Sequence, residues 1–148
     1  MRRVAIVLAL ALPLAAADLV WKSIETTPSW AYHARSPAWL ALSIGLVLVA
    51  FAITRVPSMA VPPAAGVMAG GVLGNALSAA WNGLRVPNPI VFSSGNAVVA
   101  FNLADVFTTT GILAVTTVLG VSLIRHRYLL PTRQEARAMW ARALHRRL

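Results

Sequence analysis

Four long apolar segments constrain the fold of this chain more than any other feature. They cover residues 4–20, 38–54, 60–81 and 103–124 of the 148 residues, and only two aspartates carry charge within them. A helix of about 20 apolar residues spans the hydrocarbon core of a bilayer. Charged residues make up 11% of the chain, against about 25% in a typical soluble domain. The sequence therefore predicts an all-α integral membrane protein with four transmembrane helices.

The first apolar segment has two interpretations. Two arginines precede it, and three small residues, 15–17, stand before Asp18, as at the cleavage site of a secretory signal peptide. However, the apolar character continues to Trp21, which gives a segment long enough to cross a bilayer. We therefore expect a first transmembrane helix, with a cleaved signal peptide as the alternative.

The connection between the third and fourth segments, residues 82–100, is rich in glycine and proline. Within it, Ile90–Phe92 and Ala97–Val99 are two short runs of strand-forming residues around a Ser-Ser-Gly-Asn turn. A small β region is therefore predicted between helices 3 and 4. In the third segment, Gly66, Gly70 and Gly74 recur every four residues, which predicts a smooth stripe for close helix packing.

Residues 125–148 form a basic tail. Thr132 and Glu135 have the spacing of a capping box, and the apolar residues that follow fall on one side of a helix. We expect an amphipathic helix lying on anionic lipid headgroups, with a solvated tail as the alternative. The predicted domains are therefore a transmembrane domain, residues 1–124, and a cytoplasmic tail, residues 125–148.

The distribution of positive charge predicts the topology. Four spans place both termini on one side, and that side carries ten arginines, including Arg55. The opposite side carries Lys22, Arg35 and Arg85. The positive-inside rule therefore predicts cytoplasmic termini in a cell membrane of bacterial type. No nucleic-acid motif accompanies the net charge of +9, so no nucleic-acid partner is expected.

Asp105 is the strongest single candidate for a functional residue. It is one of four acidic residues in the chain and lies at the outer start of the last apolar segment. Placing a carboxylate beside hydrocarbon costs free energy, so an acidic residue found there is by default a candidate functional residue. At the first turn of a helix, the helix dipole also favours its negative charge.

Three sequence motifs resemble those of signal peptidase II, the lipoprotein signal peptidase, a four-helix membrane aspartyl protease. Asp18 and Lys22 fit its D-x-x-x-K motif, and the third segment fits G-G-x-x-G-N. Residues 101–105, at the start of the fourth segment, fit F-N-x-A-D, and Gly111 fits the glycine that follows it in the family. The matched positions run in the family's order from Asp18 to Gly111: Asp18, Lys22, Gly70, Gly71, Gly74, Asn75, Phe101, Asn102, Ala104, Asp105 and Gly111.

The resemblance implies an aspartyl site of which half is missing. Asp105 matches one catalytic aspartate, whereas Ser78 stands at the position matched to the other, and Pro87 stands where an acidic residue is often found. Asn75, Asn102, Asp18 and Lys22 would support the site. Aspartyl chemistry needs two carboxyls that share a proton, and a serine hydroxyl does not ionise near neutral pH.

Another group has to be considered as the partner of Asp105. Asp18 lies at similar membrane depth, although Lys22 one helical turn later is its expected ion-pair partner. Glu25 lies in the following loop, and a serine mechanism would need Lys22 or His33 as its base. We expect neither metal nor cofactor, because the histidines lack ligand spacing and the chain has no cysteine.

Three functional hypotheses follow from this pattern. The first is a signal peptidase II-like protein that binds the lipidated signal segments of prolipoproteins but cuts them poorly or not at all. The second is an active lipoprotein signal peptidase with a non-standard partner for Asp105. The third is a structural or accessory membrane protein without enzymatic activity. The oligomeric state does not follow from the sequence.

Overall fold

The computed structural model describes residues 1–125, and the predicted amphipathic tail lies outside them. Four helices and two small antiparallel sheets follow one another along the described chain. Their bounds are α1 Arg2–Ile24, β1 Tyr32–Ala34, α2 Pro37–Ala52, α3 Val61–Trp81, β2 Arg85–Pro87, β3 Ile90–Ser94, β4 Ala97–Phe101 and α4 Leu103–Arg125.

All four helices are long and apolar enough to cross a membrane, α2 together with the 3₁₀ turn Ile53–Arg55 that follows it. Large aliphatic side chains such as Leu12, Leu42 and Leu113 stay more than half exposed, as expected of a surface that faces lipid rather than water. The predicted all-α membrane fold with four spans and a small β region is therefore confirmed. The predicted boundary between residues 124 and 125 lies at the limit of the described residues and stays a prediction.

Helix α3 is the central element of the bundle. In its candidate membrane span 67% of residues are buried, against 11–22% in the other three helices. Its small residues allow this, because a Cβ at Gly66 or Gly70 would lie 2.9 Å or 2.8 Å from the Cβ atoms of Leu10 and Leu14 in α1. The predicted glycine stripe is therefore the surface against which α1 packs.

The β region between α3 and α4 is a two-stranded hairpin in which Ile90 pairs with Phe101 and Ser94 with Ala97. The strands are longer than the sequence predicts, because the turn needs only two residues and Gly95 supplies its positive φ of 57°. A second sheet was not predicted. It pairs His33 of β1 with Val86 of β2, and strands of three residues are too short for a period-2 pattern to be recognised.

The opposite end of the bundle is basic. Arg3 donates from Nη1 to the carbonyl oxygens of Thr54, at 2.9 Å, and of Val56. These bonds tie the start of α1 to the connection between α2 and α3. Since α1 runs from this end towards Asp18, the aspartates lie at the far end of the bundle from Arg3.

Candidate functional site

Asp18 joins the end of α1 to the start of α4. It is fully buried, and its Oδ2 accepts a hydrogen bond of 2.6 Å from Lys22 Nζ, one helical turn later. Its Oδ1 accepts from the backbone N–H of Ala104 at 2.8 Å. A Cβ at Gly74 would lie 2.8 Å from Oδ2, so glycine makes room for the carboxylate. The expected Asp18–Lys22 ion pair is present, and Asp18 also satisfies a free N–H at the start of α4.

Lys22 and Asn75 connect this ion pair to Asp105. Lys22 Nζ donates to Asn75 Oδ1 at 2.8 Å, and Asn75 Nδ2 donates to Asp105 Oδ1 at 2.8 Å. The chemistry of the neighbours fixes the direction of the Asn75 amide, because an ammonium only donates and an ionised carboxylate only accepts. Four of the residues selected from the sequence therefore lie in one continuous hydrogen-bonded chain.

Asp105 and Asn102 cap the start of α4 reciprocally. The Asn102 side-chain oxygen accepts from the backbone N–H of Asp105 at 2.9 Å, and Asp105 Oδ2 accepts from the backbone N–H of Asn102 at 3.2 Å. This is the geometry of a capping box. Both oxygens of Asp105 are thus held, one by Asn75 and one by Asn102, and the carboxylate has a defined orientation.

The sequence did not indicate that Asn88 and His33 belong to this network. Asn102 Nδ2 donates to Asn88 Oδ1 at 2.5 Å, and Asn88 Nδ2 lies 2.9 Å from His33 Nδ1. Asn88 is 1% exposed. The one signal that could have found it is its position between Pro87 and Pro89, since asparagine in a turn-forming loop often hydrogen-bonds to nearby groups.

Ser78 accepts hydrogen bonds from Asn82. It is 2% exposed, and its Oγ and carbonyl oxygen accept from Asn82 Nδ2 at 3.4 Å and 2.9 Å. Within residues 1–125 none of its hydrogen bonds reaches Asp105. The assignment of Ser78 to a lost catalytic position stays a prediction from the resemblance.

Two cavities border Asp105. The first, of about 230 Å³, lies between α2, α3 and α4 and is lined by Arg35, Trp39, Leu42, Ser43, Leu46, Val72, Asn75, Asp105, Thr108 and Thr109. The second, of about 360 Å³, lies between β4 and α4 and is lined by Val99, Phe101, Asp105, Val106, Thr109 and Thr110. Asp105 and Thr109 belong to both, so the carboxylate stands where two largely apolar spaces meet.

The other possible partners of Asp105 are not bonded to it. Lys22 and Asn75 connect Asp18 to Asp105, and Glu25 is exposed at the end of α1. No group of three acidic or histidine side chains that could hold a metal ion occurs among the described residues. The arrangement can present one oriented carboxylate to a ligand in either cavity.

Asn102 is expected to contribute to the stability of the folded protein. Asn102→Ala removes the acceptor for the Asp105 N–H and the donors to Asn88 and Pro87. We expect the free energy of unfolding to fall by about 1–3 kcal/mol. Thermal unfolding in detergent measures this, with Asn82→Ala as the control, because Asn82 is exposed and, within residues 1–125, its side chain bonds only to Ser78. Equal melting temperatures for the two variants would contradict the role of Asn102.

Comparison with known proteins supports the fold. No protein-family model matches the sequence, and no curated protein matches it. A solved structure of a bacterial membrane enzyme superposes with a TM-score of 0.62, over 86% of this chain and 92% of that one, at 15% sequence identity. The chain is therefore a multi-pass membrane protein that shares the fold of a bacterial membrane enzyme.

Proposed function

We propose that this protein binds the lipidated signal segments of prolipoproteins in the manner of signal peptidase II but does not cleave them. The observation that carries the proposal is the position of Asp105, which borders both cavities with its two oxygens held. An apolar segment entering from the membrane would fill these cavities beside the carboxylate. The order of the three motifs and the shared fold of a bacterial membrane enzyme support the same proposal.

We expect no cleavage because the described residues give Asp105 no second carboxyl as a partner. Within residues 1–125 these belong to Asp18, Glu25 and Asp105. Asp18 is occupied by Lys22 and by the Ala104 N–H. Asp105 bonds to amides, and no second carboxyl shares a proton with it in the described residues. An aspartyl peptidase needs one carboxylate to activate water and one carboxylic acid to donate a proton.

An active peptidase is the second candidate, because one observation favours it. Asp18 is connected to Asp105 through Lys22 and Asn75, so a rearrangement of that chain would bring a second carboxyl into the site. In this mechanism both Asp18→Asn and Asp105→Asn would abolish cleavage. In the first proposal neither substitution changes cleavage, because there is none to lose.

Expression in bacterial cells that lack their own lipoprotein signal peptidase separates the two candidates. We expect a prolipoprotein to remain at precursor size on a gel, with less than about 1% mature product, because an aspartyl pair contributes many orders of magnitude in rate. A mature band that disappears with Asp105→Asn would contradict the proposal. Ser78→Asp combined with Ala79→Arg is expected to raise cleavage if the groove is intact, and no gain would favour the structural hypothesis.

Binding distinguishes the proposal from a structural protein without a ligand site. A globomycin-type peptide antibiotic, the probe suggested by the resemblance, is expected to bind the purified protein. Leu46→Trp fills the first cavity and is expected to weaken binding at least about tenfold, or 1.4 kcal/mol. Ile44→Trp is the matched control, because Ile44 lies in the same helix and is 56% exposed. Absence of binding to the unmodified protein would favour the structural hypothesis.

The proposal also specifies the membrane in which the protein lies and its orientation there. The basic end with Arg2, Arg3 and Arg55 would face the cytoplasm, and the Asp105 end would face outward in a bacterial cell membrane. The tail, residues 125–148, would lie on anionic headgroups. Labelling of single cysteines at residues 55 and 96 in intact cells tests this, and reaction at residue 55 alone would contradict it.

A further inference from the structure

A third cavity lies at the basic end of the bundle, away from Asp105. Its volume is about 690 Å³, which is larger than either cavity beside Asp105 and within the range of about 300–1,000 Å³ usual for small-molecule sites. The start of α1, the end of α2 and the 3₁₀ turn after α2 form its walls. Three arginines and several apolar residues line it, among them Arg2, Arg3, Arg55, Val4, Leu48 and Phe51.

The positive charge of this cavity has no acidic partner in the described residues. Arg2 and Arg55 are exposed, and within residues 1–125 neither side chain has a hydrogen-bond acceptor or an ion pair. The three described carboxylates, those of Asp18, Glu25 and Asp105, lie at the other end of the bundle. Like charges lining one cavity repel each other, and an anion between them removes that repulsion. The charges therefore favour an anionic ligand.

Arg3 adds donors that are held in position. Its Nη1 donates to the carbonyl oxygens of Thr54, at 2.9 Å, and of Val56. These two bonds fix the guanidinium between the start of α1 and the connection after α2. Its Nε and Nη2 have no acceptor within residues 1–125, and the side chain is only half-buried. A guanidinium held on one side keeps free a fork of donors that matches the oxygens of a phosphate.

The cavity lies where a bilayer presents its headgroups. Arg2 and Arg55 are the terminal residues of two candidate membrane spans, and the ends of a span lie at the border between hydrocarbon and headgroups. On the apolar wall, Leu48 is 63% exposed, as expected of a side chain that faces lipid. A ligand with a phosphate at the arginines and an acyl chain along Leu48 and Phe51 uses both walls, whereas a free phosphate uses only one.

We propose that this cavity binds the phosphate of an anionic glycerophospholipid. Arg2, Arg3 and Arg55 donate to the phosphate oxygens, and Leu48 and Phe51 contact an acyl chain. The proposal does not depend on the function proposed above, because the cavity lies at the opposite end of the bundle from Asp105. It also holds whichever side of the membrane this end faces. The bound lipid bridges the start of α1 and the turn after α2, the same two segments that Arg3 connects.

Native mass spectrometry of the purified protein in detergent measures this binding. Phosphatidylglycerol is expected to bind at least about tenfold more tightly than phosphatidylcholine with the same acyl chains, because only phosphatidylglycerol carries a net negative charge. Arg2→Gln and Arg55→Gln are each expected to weaken phosphatidylglycerol binding about fivefold, or about 1 kcal/mol. Both variants should fold, since neither side chain has a hydrogen bond or ion pair within residues 1–125.

Arg85→Gln is the matched control for charge. It removes the same charge from an exposed position that does not line the cavity, so it should bind phosphatidylglycerol like the unmodified protein. Equal binding of the two lipids by the unmodified protein would overturn the proposal. Equal losses in Arg55→Gln and Arg85→Gln would overturn it as well, because the attraction would then belong to the net charge and not to this cavity.

Two further measurements separate a lipid from a free phosphate ester. Glycerophosphoglycerol, the headgroup without acyl chains, should not displace phosphatidylglycerol at equal concentration. Leu48→Ala should weaken phosphatidylglycerol binding about two- to fivefold, and Ile44→Ala, in the same helix but outside the cavity, should not. Displacement by the headgroup, or equal binding by Leu48→Ala and Ile44→Ala, would show that the apolar wall is unused and would contradict a lipid as the ligand.

Discussion

Replacing Gly71 or Gly111 with alanine is expected to separate α3 from α4 and to unfold much of the protein. A Cβ at Gly71 would collide with the carbonyl oxygen of Ala104 and the backbone nitrogen of Thr108. A Cβ at Gly111 would collide with the backbone nitrogen and Cα of Met68. Backbone atoms cannot rotate away as side chains do, so the helices themselves must move.

The cost of either substitution should exceed the usual range for overpacking. Extra methylenes in a packed core cost about 1–3 kcal/mol when side chains absorb the strain, and we expect at least about 3 kcal/mol where they cannot. Size-exclusion chromatography and thermal unfolding in detergent measure the loss. Because α4 carries Asp105, the Asn75–Asp105 hydrogen bond should be lost in any variant that remains folded.

Gly45→Ala is the matched control for both substitutions. A Cβ at Gly45 meets nothing within 4 Å, and alanine is favoured over glycine inside a helix by about 1 kcal/mol. This variant should therefore be as stable as the unmodified protein or slightly more stable. If Gly71→Ala or Gly111→Ala melts at the same temperature as Gly45→Ala, the close packing of α3 and α4 described above is wrong.

The second large effect is expected when the Asp18–Lys22 pair is broken. The two side chains are 0% and 4% exposed, respectively. Asp18→Ala would leave the Lys22 ammonium buried with only the Asn75 oxygen, and would remove the acceptor for the Ala104 N–H. Removing one partner of a buried pair typically destabilises by about 3–5 kcal/mol. Denaturant or thermal unfolding in detergent should show a loss of this size.

A double substitution distinguishes buried charge from lost packing. Asp18→Asn combined with Lys22→Met removes both charges, and it should cost less than the sum of the two single changes, by more than about 1 kcal/mol. Glu25→Ala is the control, because Glu25 is an exposed carboxylate at the end of the same helix. Additive single and double effects would contradict a coupled buried pair.

The parts of the fold that the sequence predicts depend on local patterns. The four spans follow from apolar length, and the hairpin follows from strand-forming runs around a glycine turn. The Asp18–Lys22 pair follows from its i,i+4 spacing. In each of these cases the interacting groups are close in sequence, so spacing alone determines that they meet.

The parts that the sequence does not predict depend on contacts between distant segments. His33 reaches Asn88 across 55 positions, and Arg35, which lines the first cavity, pairs through its backbone N–H with Leu84. Neither residue has a sequence pattern that marks it. The bonds between Ser78 and Asn82 are also not predicted, since the resemblance assigned Ser78 a place beside Asp105 without information on the direction of its side chain.

We propose that the site around Asp105 binds a lipidated signal segment and leaves it intact. The most direct measurement incubates purified protein with a synthetic lipid-modified prolipoprotein peptide and follows both occupancy and peptide mass by mass spectrometry. We expect saturable binding of the full-length peptide, weakened by Leu46→Trp but not by Ile44→Trp, with no fragment formed. Cleavage on the amino side of the lipid-modified cysteine, lost in Asp105→Asn, would contradict it.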